Sequence, residues 1–167
     1  MATKPIVPPP GAELPPLIVE EALLRAINGD GHGGGMLLVP LIEESRFSCF
    51  ALCAMLATAA KAGMDHLDTA SGLSMVVLQV EDVETGESAS VDDLPPDVVF
   101  AARFTAAWVN EDRETAQALF DALAADTDTD AGMCRLIDGV LALYGMAIAT
   151  TRALVQAERD NPDQRKD

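Results

Sequence analysis

The strongest constraint on the fold is the C-terminal stretch from about Ala131 to Arg159. Met133, Ile137, Val140, Tyr144, Ile148 and Leu154 recur there at helical spacing. They predict one helix of about 28 residues, roughly 42 Å long. A second stripe on it is made of small residues, Gly139, Ala142, Gly145 and Ala149. Glycine inside a helix costs up to about 1 kcal/mol against alanine. The stripe therefore implies that something approaches this helix closely. The chain has 167 residues and is 49% hydrophobic, enough to bury a core around such a helix without disulfides or metal.

The rest of the chain reads as shorter elements. Residues 1–16 carry six prolines, Pro5, Pro8, Pro9, Pro10, Pro15 and Pro16, and predict an extended arm. Leu17, Ile18, Leu24 and Ile27 predict a helix stopped at Asn28-Gly29-Asp30-Gly31. His32 through Gly35 read as a loop, and Met36–Ile42, with Pro40 inside it, as a short helix or an irregular run. Arg46–Ala62 predicts a helix apolar on nearly every side and capped by Gly63. Ser74–Val80 and Ser88–Val91, about the turn Glu84–Glu87, predict a small β-hairpin over about 74–91. Pro95-Pro96-Asp97 opens a helix to Val109. Asp112 caps another, whose Ala116, Leu119, Phe120 and Leu123 form the cleanest amphipathic pattern of the chain. Ala116 and Phe120 resemble the second helix of a tetratricopeptide-type hairpin. Phe104 stands where the first helix needs a small residue, and a single copy falls short of the roughly three that such repeats require. The two helices are read as a generic antiparallel pair. The expected fold is mainly α: a single-domain bundle of about five helices over 17–159, with the inserted hairpin and a polar tail at 160–167.

Charge separates the functional classes. Lys and Arg number 11 against 27 Asp and Glu, a formal charge of −16. Residues 1–64 carry net −2, residues 65–130 net −14 and residues 131–167 none. A direct nucleic-acid binder needs a basic face, which this composition lacks. The acidic middle segment is a solubilising face or a surface that steers a basic partner. Its partner-binding candidates are Glu81, Asp82, Glu84, Glu87, Asp92, Asp93 and Asp97. The start of the chain lacks an apolar signal-peptide region, and the longest uncharged run, Gly139–Thr151, is 13 residues, short of a membrane span. Three cysteines, Cys49, Cys53 and Cys134, are expected to be reduced and buried, in a cytoplasmic protein.

No linear motif completes a catalytic or metal site. Gly31-His32-Gly33-Gly34-Gly35 resembles the oxyanion loop of lipases and esterases, but no serine here sits in the Gly-x-Ser-x-Gly elbow that those enzymes require. Asp126, Asp128 and Asp130 match the first half of a calcium loop. Ala131 and Ile137 then replace its Gly and Glu, so Asp130 is read as a helix cap. Cys49, Cys53, His32, His66 and Cys134 lack the second compact ligand pair of a zinc site. Asp138, Arg103 and Arg135 are read as buried or half-buried ion-pair residues rather than as acid–base groups.

These readings predict a non-catalytic acidic binding or regulatory protein of adaptor type, without cofactor, acting through protein–protein contacts. The alternatives are an acidic decoy that occupies a basic DNA-binding protein, and a small enzyme with no recognisable motif. A homodimer through the long helix is also expected, with Gly139, Ala142, Tyr144, Gly145, Met146 and Ala149 at the contact; the alternative is that the small-residue stripe packs on helix 46–62, whose Ala51, Ala54 and Ala57 are equally small.

Overall fold

The computed structural model of the chain describes residues 16–67, 80–81, 88–89 and 94–160. Among them are six helices: α1 Pro16–Ile27, α2 Gly31–Glu44, α3 Arg46–Leu67, α4 Pro96–Val109, α5 Arg113–Leu123 and α6 Asp130–Asp160. Helix α3 lies at the centre, with α6, α2, α4 and α1 packed against it.

The helical bundle follows the apolar spacing, but it has six helices where about five were expected. The additional one is α2. Its glycines were read as a loop, because glycine disfavours helix, and Met36–Ile42 as a short helix or an irregular run, because of Pro40. Tertiary contact overrides both. The Asp30 carboxylate accepts a 2.9 Å hydrogen bond from the Gly33 N–H and caps the first turn. Gly34 and Gly35 are buried. A Cβ on Gly34 would fall on the Ala22 carbonyl and the Tyr144 hydroxyl, so only glycine lets α2 approach α1 and α6 this closely. Pro40 faces outward, where water can satisfy the carbonyl that loses its helix partner.

Gly63 is likewise a packing residue rather than a cap, because α3 continues past it to Leu67. A Cβ on Gly63 would lie 2.6 Å from the backbone of Thr150, at a close crossing of α3 and α6. Large side chains fill the remaining space around α3. Phe104, Phe120, Leu38, Leu52, Leu56 and Leu143 are fully buried. The Phe50 ring meets those of Phe104 and Phe120 edge-on, and Phe104 stacks on Trp108 with centroids 6.1 Å apart.

The helix pair α4–α5 forms where the local signals place it. Pro95 and Pro96 start α4, and the Asp112 carboxylate caps α5 by accepting from the Thr115 N–H at 3.0 Å. Helix α6 runs within a residue of its expected ends. Its cap is the Thr129 hydroxyl, which accepts from the Gly132 N–H, and not Asp130, which already lies inside the helix.

The inserted hairpin is corrected. The described residues there form only a two-residue antiparallel ladder, β1 Val80–Glu81 on β2 Ser88–Ala89, with Val80 opposite Ala89 and Glu81 opposite Ser88. Two residues per strand make no sheet with a face to bury, and a lone two-stranded ribbon is marginal in water. The other positions of the expected strands, the arm at 1–15 and the tail at 161–167 lie outside the described residues. Pro16, expected in the arm, opens α1, and Asp160, expected in the tail, closes α6.

Candidate functional site

The expected sites meet different fates. Of the acidic partner-binding residues, Glu81 is in β1 and Asp97 is half-buried in the first turn of α4. Asp82, Glu84, Glu87, Asp92 and Asp93 lie outside the described residues. Most of the described part of the acidic segment is α4, α5 and their connections. Residues 94–130 hold eight carboxylates against Arg103 and Arg113. Arg113 lies flat over Trp108, 3.6 Å from the ring centroid, and donates to the Trp108 carbonyl at 2.8 Å. Glu111, Asp112 and Glu114 are exposed at one end of α5, and Asp126, Asp128 and Asp130 at the other.

Asp126, Asp128 and Asp130 do not converge. Asp126 pairs with Arg135 at 3.1 Å, and its carbonyl accepts from both the N–H and the hydroxyl of Thr129. Among the described residues, no group of three His, Cys, Asp or Glu side chains could hold a metal ion. The ion-pair reading of Asp138, Arg103 and Arg135 is corrected as to burial, since all three are exposed.

The cysteines divide as well. Cys49 and Cys53 are buried side by side on α3, and burial pushes the Cys53 thiol well above its ordinary range. A thiol held protonated in this way is a poor nucleophile. Cys134 is exposed, against expectation. It falls on the outward side of α6, between the buried Gly132 and Leu136, so its apolar neighbours in sequence are not its neighbours in space.

The residues expected at a dimer contact occupy opposite sides of α6. Gly139 belongs to the core, where an added Cβ would lie 2.7 Å from Leu123 and 3.1 Å from Phe100. Tyr144 is buried too. Its hydroxyl donates a 2.7 Å hydrogen bond to the Ala22 carbonyl and ties α6 to α1. Burial, and secondarily the Asp30 carboxylate, raise its pKa, so it stays neutral. Ala142 and Met146 are half-buried, whereas Gly145 and Ala149 are exposed.

Sequence reasoning missed an apolar groove of about 360 Å³ between α2 and α6. Gly35, Met36 and Val39 line it from α2, and Leu141, Gly145 and Ile148 from α6, together with His32 and the Tyr144 ring. Glycines make the space, since a Cβ on Gly145 would meet nothing within 4 Å. Met36 is 57% exposed and Leu141 38%. The signal was present in the sequence, as Leu141, Gly145 and Ile148 share one side of the predicted helix. It stayed hidden because the first half of the partner wall, through Gly35, was read as a loop and the second half as a short helix or an irregular run.

A smaller depression of about 210 Å³ lies where α2, α3, α5 and α6 meet. Arg46 lines it and is engaged by the structure itself. Its guanidinium donates to Asp121 at 2.6 Å and to the Ala124 carbonyl at 3.0 Å, and lies over the Phe120 ring.

Among the described residues, two helices are long and apolar enough to cross a membrane, α3 over Arg46–Met64 and α6. The expectation from uncharged runs had been that none was. Burial in the bundle accounts for the apolar content of α3, 56% of whose apolar stretch is buried.

Comparison with protein-family models, with curated proteins and with solved structures finds no match to this chain. The reading of its function therefore rests on the geometry above.

Proposed function

We propose that this chain is a non-catalytic protein-binding module of the cytoplasm, and that the acidic segment carried by α4 and α5 attracts a basic protein partner. The supporting observation is the charge asymmetry: eight carboxylates against two guanidinium groups over 94–130, with one of those two, Arg113, already stacked on Trp108. A field of one sign accelerates encounter with a partner of the other, and salt screens it. The free thiols accord with a reducing compartment.

The test is affinity capture at low and at moderate salt, with partners identified by mass spectrometry and the binding of each then measured with purified protein. The expected partner has a basic face and binds more weakly at moderate salt. Replacing Glu111, Glu114 and Asp128 together with lysine should weaken binding to the same partner at least tenfold. A partner whose affinity ignores both salt and this triple variant would overturn the reading.

A further inference from the structure

We infer that the Trp108 ring, at the corner between α4 and α5, receives an arginine side chain of the basic partner, and that Arg113 of this chain holds that place until the partner arrives. The inference rests on the function proposed above and names what its acidic surface recognises. It starts from a cation already in position. The Arg113 guanidinium lies 3.6 Å from the Trp108 ring centroid and donates to the Trp108 carbonyl at 2.8 Å. The ring, rather than the carboxylates around it, defines the site.

The half-buried indole is fixed in advance. Its Nε1 donates to the Thr58 hydroxyl on α3 at 2.9 Å. Phe104 lies parallel to it with centroids 6.1 Å apart, and Phe50 meets it edge-on at 6.2 Å. A platform held in this way needs no ordering when a partner binds. The corner also offers both things that a guanidinium uses, an aromatic face for the planar cation and a carbonyl oxygen for its N–H groups. An ammonium carries the same charge but does not stack as a plane. The present occupant is weakly held. Arg113 is exposed at the first position of α5, where a cation opposes the helix dipole. A cation–π contact at an exposed site gives a preference of only about two- to fivefold. Glu111, Asp112 and Glu114, all exposed, flank Arg113 in sequence, so an incoming arginine moves in a field that favours it. A partner segment with several basic groups brings more contacts than Arg113 alone and displaces it.

The test uses the full chain and two probes, an acetylated peptide of alternating glycine and arginine and its lysine counterpart. Trp108 is the only tryptophan of the chain, so tryptophan emission reports this ring alone. Arg113→Gln should open the ring to collisional quenching by acrylamide, and the arginine peptide should restore its protection. Calorimetry at low salt should find the arginine peptide bound about two- to fivefold more tightly by Arg113→Gln than by Arg135→Gln. The second variant removes the same charge from an exposed position on α6. The lysine peptide should bind more weakly than the arginine peptide. Trp108→Leu should lose about two- to fivefold in affinity for the arginine peptide while circular dichroism still reports a helical chain. If Trp108→Leu does not fold, the comparison of Arg113→Gln with Arg135→Gln decides. Equal affinity of those two variants overturns the inference and leaves the acidic surface as a general attractor. So does equal binding of the two peptides, or an arginine peptide that binds without shielding Trp108. A peptide that binds neither variant overturns it as well. Binding that ignores salt would instead overturn the function proposed above.

Discussion

Helices α3 and α6 have nearly the same apolar content and different surroundings. Helix α3 begins on the Ser45 hydroxyl, which accepts from the Ser48 N–H, and then runs through the middle of the bundle. Leu52, Cys53, Leu56, Ala57 and Ala60 on it are all essentially inaccessible. Helix α6 buries Leu136, Val140, Leu143 and Ala147 just as fully on one side and leaves Leu141, Gly145 and Ala149 exposed on the other. Apolar content in a sequence thus measures the demand for cover and not its supply. The glycines make the same contrast. Gly63 on α3 has the Thr150 backbone against it, whereas Gly145 on α6 has open space.

The contrast can be broken by mutation. The largest effect is expected at the aromatic cluster beside α3. Phe104→Ala should cost about 3–5 kcal/mol in urea unfolding, since the ring is inaccessible and packs on Phe50, Phe100 and Trp108. A cost below about 1 kcal/mol would mean that the cluster is far looser than its geometry. Gly63→Leu comes next. It has to force α3 and α6 apart, and overpacking of this kind costs about 1–3 kcal/mol or more. Tyr144→Phe deletes the bond to the Ala22 carbonyl and should cost about 1 kcal/mol. Gly145→Ala should have the opposite sign and stabilise by up to about 1 kcal/mol, through helix propensity alone.

Thiol chemistry sharpens the same division without any mutation. In the native protein a thiol reagent should modify Cys134 on α6 quickly, and Cys49 and Cys53 on α3 only after denaturant is added. Fast reaction at all three positions would place α3 near solvent.

The smallest effect is a pH dependence at α5. The Thr115 hydrogen bond to Asp112 holds that carboxyl below the ordinary aspartate value of 3.8. A depressed folded-state pKa contributes stability above the unfolded value, and that stability is lost as pH falls through the folded one. The melting temperature should therefore drop below about pH 3.8 by slightly more in the wild type than in Asp112→Asn, whose amide oxygen still caps the helix at every pH. Equal acid sensitivity of the two would remove Asp112 as a contributor.

How much of this was legible beforehand depends on whether the signal was local. Pro95-Pro96-Asp97 and Asp112 announce α4 and α5, because caps and prolines act within one turn. The stripe of Met133, Ile137, Val140 and Tyr144 announces α6, because its period is that of the helix itself. The glycines were misread, because at Gly34, Gly63 and Gly139 the reason for glycine is an atom far away in sequence: the Ala22 carbonyl, the Thr150 backbone and the Leu123 side chain. Reading His32–Gly35 as a loop then concealed the groove, since the first turn of one of its walls was missing. The same limit applies to Cys134, whose exposure is set by which side of α6 the rest of the bundle occupies.

Helix α3 is the more fully covered of the two apolar helices, and α6 is covered on one side only. Hydrogen exchange read by mass spectrometry tests this contrast most directly. Amides of α3 over 46–64 should exchange close to the rate of global unfolding, whereas those of α6 over 148–160 should exchange faster, through local opening. Equal protection of the two stretches would contradict it.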